Sequence, residues 1–119
     1  MKRILIVEDD PLTLKITENK LKKEGYQVYI SKDGKDGIEK LHTLKPDLVI
    51  TDLMMPYKSG LEITYYVKKH FPNVPVIVFS ALGEEEKTVV DTFNVGANDF
   101  ISKPFNLNEL ALRVKRLIK

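Results

Sequence analysis

Residues 3 to 31, RILIVEDDPLTLKITENKLKKEGYQVYIS, decide the fold of this chain, because they contain a strand, a helix and a second strand in succession. The run RILIV (3–7) is almost entirely apolar, as in a strand buried on both faces. Asp10 followed by Pro11 predicts the N-cap and first turn of a helix, and Gly25 predicts its end. YQVYIS (26–31) alternates, which is typical of an edge strand. The segment therefore predicts two parallel strands joined by a right-handed crossover.

The same alternation continues to the end of the 119 residues. Further strands are predicted at DLVIT (47–51), PVIVFS (75–80) and DFIS (99–102), and helices at GKDGIEKLHTL (34–44), SGLEITYYVKKHF (59–71), EEEKTVVDTFNVG (84–96) and NLNELALRVKRLIK (106–119). In the fourth helix, Val89, Val90 and Phe93 form the predicted inward face. The pattern predicts an α/β fold of the flavodoxin-like (βα)5 type, with a doubly wound, five-stranded parallel sheet ordered 2-1-3-4-5. We expect a single domain over residues 1–119.

The composition excludes several classes of protein. The chain has no cysteine, and therefore no disulfide and no thiolate metal site. Its 19 Lys and Arg residues against 17 Asp and Glu give a net charge of +2, which requires neither nucleic acid nor an anionic membrane as a partner. The first βα turn, VEDDPL, has acids where a dinucleotide-binding fold has glycines, which sets NAD binding aside. Since no apolar run approaches the ~18 residues that cross a bilayer, and the start is too short and acidic for a signal peptide, we expect a cytoplasmic protein.

Polar side chains stand at the carboxyl ends of four predicted strands, where open α/β sheets bind their ligands. They are Glu8 and Asp9 after the first strand, Asp52 after the third, Ser80 at the end of the fourth and Lys103 just after the fifth. Clustered carboxylates repel one another unless a cation lies among them, and oxygen ligands without Cys or His favour Mg²⁺. A lysine and a hydroxyl near that ion suit a phosphoryl group. Asp52 stands between the others, and we expect it to accept the phosphoryl group as an acyl phosphate.

The segments ILIVEDD, PDLVITDLMMP, VPVIVFSA, GANDFISKPF and NELALRVKRL, in this order and spacing, resemble the receiver domains of bacterial two-component response regulators. The resemblance covers essentially the whole chain. It implies that Asp52 is the phospho-acceptor, and that a sensor histidine kinase supplies the phosphoryl group from a phosphohistidine. It also implies that Asp9 ligates Mg²⁺ directly, that Glu8 does so through a water, and that the backbone carbonyl of Met54 supplies another oxygen.

The resemblance also implies how the phosphorylated state is read. Ser80 would bind a phosphoryl oxygen, and Lys103 would pair with the same group. Phe100 would be the aromatic switch residue that turns inward, although the family often has tyrosine there. The Lys103–Pro104 peptide bond would be cis. The output would be a changed surface on the fourth helix, fifth strand and fifth helix, which controls an output domain or a partner protein and makes no direct contact with nucleic acid.

Other departures from the family concern loops and partners. The loop MPYKSG (55–60) differs from the commoner MPGMDG, which bears on its partner contacts. Val89 and Asn94 stand where the winged-helix subfamily of DNA-binding regulators carries a basic and an acidic residue, whereas Asp99 and Arg113 match that subfamily. A homodimer through the fourth helix, fifth strand and fifth helix on phosphorylation is therefore one expectation.

Two alternatives belong to other functional classes. A Mg²⁺-dependent phosphohydrolase of the haloacid-dehalogenase type also uses an aspartyl phosphate, but it needs a second acid where this chain has Met54. A receiver-like module that binds partners without phosphorylation would not need the full set of acids, serine and lysine. The sequence favours a switch that catalyses only its own phosphorylation and slow dephosphorylation, and is not an enzyme on an outside substrate. The bulk of Met54 predicts a long-lived phosphorylated state, since it would hinder the attacking water.

Overall fold

The computed structural model describes residues 1–55, 57–81 and 85–118, and it contains one parallel sheet with the order β2-β1-β3-β4-β5. The strands are β1 (Arg3–Val7), β2 (Gln27–Ser31), β3 (Leu48–Asp52), β4 (Val76–Ser80) and β5 (Asp99–Ser102). The helices are α1 (Pro11–Lys23), α2 (Gly34–Leu44), α3 (Gly60–His70), α4 (Glu86–Asn94) and α5 (Leu107–Leu117). The predicted fold class and strand order are confirmed.

Both faces of the sheet are covered, which explains the continuous apolar strands. Ile4 and Ile6 of β1 belong to the core on the side of α1 and α5, whereas Leu5 and Val7 belong to the core on the side of α2 and α3. All four side chains are fully buried. The central strands are thus held from above and below, and they provide a rigid base for the residues that follow them.

The strand register brings the carboxyl ends together. Val7 pairs with Ser31 on one side and with Thr51 on the other. Asp52 pairs with Phe79, so the last residues of β3 and β4 lie at the same edge of the sheet.

The turn between β1 and α1 is fixed by a helix cap. As predicted, Asp10 caps α1, and its side chain accepts a hydrogen bond from the backbone N–H of Thr13 at 3.2 Å.

The inward face of α4 differs from the prediction. Val89 is half-buried, but Val90 is 48% exposed and Phe93 is 55% exposed, so two of the three residues predicted to face inward do not. Thr92 is fully buried in their place, and its hydroxyl donates to the carbonyl of Thr88 at 2.7 Å. Because this bond within the helix satisfies the hydroxyl, a threonine is accommodated in the core.

Three sequence expectations concern residues outside those described: Glu84 at the start of the fourth helix, Pro56 in the loop after β3, and Lys119 at the end of the last helix. Within the described residues, no helix combines the length and apolar character needed to cross a membrane.

Candidate functional site

Three carboxylates converge at the carboxyl edge of the sheet. Glu8, Asp9 and Asp52 each offer an oxygen, and these oxygens all lie within 4.8 Å of one another. Glu8 is fully buried and Asp52 is only 7% exposed, whereas Asp9 is exposed. The cluster therefore consists of two acids that are almost completely buried and one that is exposed to solvent.

The backbone orients the two buried acids. The N–H of Leu53 donates to Asp52 Oδ1 at 3.0 Å, and the N–H of Asp10 donates to Glu8 Oε2 at 3.1 Å. Each acid is thus held by a residue one or two positions further along its own loop. Because β1 and β3 are adjacent parallel strands, the two carboxylates reach the same point from neighbouring loops.

Lys103 enters the cluster from the other side. Its Nζ lies 2.7 Å from Glu8 Oε1 and 3.3 Å from Asp52 Oδ1. The backbone N–H of Lys103 donates to the carbonyl of Ser80 at 2.7 Å, and the following bond to Pro104 is cis. Lys103 is therefore anchored to the end of β4 while its ammonium group spans the two buried acids.

One ammonium does not neutralise the cluster. Burial raises the pKa of Glu8 to about 7, and the nearby Lys103 offsets this only in part. Burial also raises the pKa of Asp52, again against the opposing effect of Lys103. Burial by itself would lower the pKa of Lys103, but its contacts with Glu8 and Asp52 outweigh that effect and raise it. Burial thus disfavours the ionised forms of both acids, and a further cation would stabilise those forms.

The donor set fits a hard divalent cation. The three side chains offer oxygen only, and such sites favour Mg²⁺ or Ca²⁺ over softer metals. Glu8 Oε1 is buried and receives no aligned hydrogen bond from the described residues, although Lys103 lies at ion-pair distance. An acceptor in that state, beside two other carboxylates, is suited to a cation or to its bound water.

The remaining predicted residues are Ser80 on β4, Met54 in the loop after β3, and Phe100 on β5. Ser80 is 8% exposed and ends β4, the strand beside β3. Met54, two residues after Asp52, is 57% exposed. Phe100 lies further away on the edge strand β5; it is half-buried, and its ring centre is 5.3 Å from that of Phe93. The structure therefore brings together the three acids and Lys103, places Ser80 at the same edge, and puts Phe100 beneath α4.

Sequence reasoning did not identify the glycine that closes the loop after Asp52. The N–H of Gly60 donates to the carbonyl of Leu53 at 2.7 Å. A β-carbon at Gly60 would fall 2.4 Å from the carbonyl oxygen of Asp52, so no larger residue fits without movement of the backbone. The signal was present in the sequence, as a glycine eight residues after the acid at the start of a helix.

Several solved structures to which this chain is similar are receiver domains. A CheY-like response regulator receiver domain protein from Methanospirillum hungatei superimposes with a TM-score of 0.94 and 30% identity, covering 99% of this chain and 94% of that one. The receiver domain of a signal transduction histidine kinase from Syntrophus aciditrophicus gives a TM-score of 0.90 and 34% identity, covering 99% and 90%. The receiver domain of NtrX from Brucella abortus gives 0.90 and 29%, covering 97% of both chains.

The family model for the response regulator receiver domain matches residues 4–115, which include all of β2 to β5, all but the first residue of β1 and most of α5. This match extends over both sheet edges and over the acidic cluster. The chain therefore belongs to the receiver domain family of two-component response regulators.

Proposed function

We propose that this chain is a phosphorylation-activated signalling switch, a single receiver domain over residues 1–119, in which Asp52 accepts a phosphoryl group from a phosphohistidine of a sensor histidine kinase. The observation that carries the proposal is the convergence of Glu8, Asp9 and Asp52 with Lys103 at one edge of the sheet. An acid that is nearly buried, oriented by a backbone N–H and faced by an ammonium group is suited to nucleophilic attack on a phosphoryl group.

The chain's own residues orient the reaction. Asp9 and Asp52 would hold Mg²⁺ directly, Glu8 through a water, and Met54 through its backbone carbonyl. When bound, Mg²⁺ supplies the positive charge that offsets the repulsion between the acceptor carboxylate and the incoming phosphoryl group. An oxygen of Asp52 forms the new bond to phosphorus as the bond from phosphorus to the donor imidazole nitrogen breaks, and that nitrogen keeps the electron pair. Lys103, 3.3 Å from Asp52, is placed to pair with the transferred group.

The negative charge of the phosphoryl group on Asp52 then shifts the domain between two conformations. The Ser80 hydroxyl and Lys103 bind phosphoryl oxygens, which draws the ends of β4 and β5 towards Asp52. Phe100 turns inward and leaves its contact with Phe93 on α4. The face formed by α4, β5 and α5 changes shape, and with it the affinity for a partner. This is a population shift between two states of one domain, driven by a local change in charge.

The partners in this proposal are a sensor histidine kinase and an output domain or effector protein, in the cytoplasm. NtrX from Brucella abortus is an example of a longer chain, since this chain covers 26% of it. A homodimer through α4, β5 and α5 is a further candidate. In the single chain Arg113 already pairs with Asp99 at 2.7 and 2.8 Å and with Glu109 at 2.9 Å, so a dimer would exchange these partners between copies.

The two alternative functions have weaker support. A hydrolase of the aspartyl-phosphate type needs a general acid or base near the acceptor, and the residue two positions after Asp52 is the apolar Met54. A module that does not accept phosphate has no use for two buried acids whose pKa values are raised by burial. The switch therefore catalyses its own phosphorylation and slow dephosphorylation, and acts on no outside substrate.

The test is incubation with acetyl phosphate and Mg²⁺, followed by intact mass spectrometry. We expect one phosphate adduct in the wild type and in the control Asp91→Asn, which changes an exposed helix residue paired with Lys87, and none in Asp52→Asn. Omission of Mg²⁺ should abolish the adduct. A wild type without the adduct, or an adduct that survives Asp52→Asn, would contradict the proposal.

A further inference from the structure

The two histidines of this chain lie together, at the edge of the sheet opposite the acidic cluster. His42 is in the last turn of α2, and His70 is the last residue of α3. In a parallel α/β sheet the helices begin at the carboxyl edge of the strands and end at the other edge, so both imidazoles lie at the edge away from Asp52. The sequence contains no other histidine, and the proposed signalling switch uses neither of these two.

Aromatic contacts hold the two imidazoles between α2 and α3. The ring centre of His42 is 6.2 Å from that of His70, 5.6 Å from that of Tyr66 and 5.4 Å from that of Phe71. The ring centres of Tyr66 and His70, one turn apart on α3, are 4.3 Å apart. Tyr66 and Phe71 are half-buried, whereas both histidines are exposed. The imidazoles are thus kept near each other by packing and remain open to solvent.

The separation of the two imidazoles suits one shared metal ion. An imidazole nitrogen ligates Zn²⁺ at about 2.0–2.1 Å, which places the ion roughly 3.2 Å from the ring centre. Two rings bound to the same ion therefore have their centres about 5 to 6.5 Å apart, and the 6.2 Å between His42 and His70 falls within this range. The torsion that orients an imidazole ring is soft, so its nitrogen can turn to an ion without movement of the helices.

The hydroxyl of Tyr66 leaves one nitrogen of His42 available to a metal. It forms a hydrogen bond with Nε2 of His42. When the tyrosine oxygen accepts this bond from Nε2–H, the other nitrogen, Nδ1, carries the lone pair that a metal ion needs. A partner of this kind is typical of metal-binding histidines, because it fixes the ring and makes the ligating nitrogen more basic.

The charges around the pair permit a cation. The ammonium group of Lys68 donates to the carbonyl of Val74 at 2.8 Å, and that of Lys69 lies over the ring of Tyr65, 5.8 Å from its centre. The two lysines that precede His70 are therefore engaged by other groups. The C-terminal ends of α2 and α3 also carry partial negative charge, which favours a positive ion beside them.

We propose that His42 and His70 form a metal site, separate from the acidic cluster, that binds a divalent transition-metal ion such as Zn²⁺ between α2 and α3. Two imidazoles suit Zn²⁺, Ni²⁺ or Cu²⁺, whereas Mg²⁺ prefers the oxygen ligands of Glu8, Asp9 and Asp52. Because both imidazoles are exposed, water completes the coordination of the ion. The ion joins the ends of the two helices and takes no part in the chemistry at Asp52.

Zinc titration of the untagged chain, followed by calorimetry in excess Mg²⁺, tests this site. We expect one Zn²⁺ per wild-type chain. His42→Gln and His70→Gln should each lower the affinity about tenfold or more, because a single imidazole cannot chelate the ion. Tyr66→Phe should lower it about tenfold, through loss of the hydrogen bond to His42. The matched control Tyr65→Phe, at a 54% exposed tyrosine of α3, should bind Zn²⁺ as the wild type does. All these variants keep the acidic cluster, so Zn²⁺ bound there would be common to them.

NMR locates the ion without any substitution. Since the chain has only two imidazoles, the resonances of His42 and His70 can be followed separately during the titration. Both should shift with the same apparent affinity. Zn²⁺ should also raise the urea midpoint of unfolding of the wild type, and should raise it less in either histidine variant.

Three results would overturn the inference. Equal Zn²⁺ affinity in the wild type and in both histidine variants would place the ion elsewhere. Imidazole resonances that shift with two different affinities, or a shift of only one of them, would mean that the two rings do not share an ion. An unchanged affinity in Tyr66→Phe would remove the role given to the tyrosine hydroxyl.

Discussion

Replacing the buried Glu8 by glutamine should stabilise this domain at pH 8 when divalent cations are removed with EDTA. Burial raises the pKa of Glu8 from 4.5 to about 7, even with Lys103 at 2.7 Å. Each pKa unit corresponds to about 1.4 kcal/mol, so the ionised side chain costs the folded state about 3 kcal/mol. Glutamine has the same shape, and it can still accept the hydrogen bond from the N–H of Asp10.

The sign of the effect sets its pH dependence. The pKa of Glu8 is higher in the folded than in the unfolded state, so its protonation contributes stability that is fully present below about pH 4.5 and is lost as the pH rises through 7. Glu8→Gln does not titrate. The free energies of unfolding of variant and wild type should therefore be similar near pH 4.5, and should separate by about 3 kcal/mol at pH 8.

Urea unfolding in EDTA at pH 4.5, 6 and 8 measures this difference. Glu39→Gln, a substitution of an exposed acid on α2, is the control and should show no such separation. Adding Mg²⁺ at pH 8 should stabilise the wild type and narrow the gap, because a cation relieves the repulsion among the acids. A variant no more stable than the wild type at pH 8 in EDTA would refute the argument that the acids are incompletely neutralised.

Three other predictions, made with four substitutions, test separate features. Gly60→Ala should lower the free energy of unfolding by about 2 kcal/mol or more, because its β-carbon would fall 2.4 Å from the Asp52 carbonyl oxygen. Gly25→Ala should lower it by only about 1 kcal/mol, because Gly25 has a φ of 98° but nothing within 4 Å of the added β-carbon. Equal urea midpoints for the two variants would contradict this. Thr17→Val should raise the free energy of unfolding by about 1 kcal/mol, because the buried Thr17 hydroxyl has no hydrogen-bond partner within residues 1–55, 57–81 and 85–118. A melting temperature below that of the wild type would contradict this prediction. Met54→Asn should shorten the lifetime of the phosphate on Asp52 at neutral pH, because a polar side chain there no longer excludes water; an unchanged decay of the adduct by intact mass would disprove that role.

The sequence was sufficient to predict the acidic cluster because of a general property of parallel sheets. Each polar residue directly followed an apolar strand, and the carboxyl ends of such strands share one edge. Glu8, Asp9 and Asp52 could therefore be placed together before any distance was known, and the structure brings their oxygens within 4.8 Å. The pairing of Lys103 with Glu8 in addition to Asp52 required the actual conformation of the loop after β5.

The prediction of which α4 residues face inward was wrong because it considered apolar residues alone. Thr92 is buried with its hydroxyl bonded to Thr88, and a count of hydrophobic positions does not register such a residue. Phe93 instead contacts Phe100 on the edge strand and stays largely exposed.

The limited packing of α4 against the rest of the domain determines which helix should unfold locally first. Thr92 is the only fully buried residue of α4, and Glu85 forms no side-chain cap with the described residues, whereas α1, α3 and α5 each bury at least three residues and begin with a capping side chain. Local unfolding of α4 should therefore require the least free energy, and its amide protons should exchange with solvent before those of α3. Under the proposed function, a signal of only a few kcal/mol should therefore be enough to move this helix while the central strands stay closed.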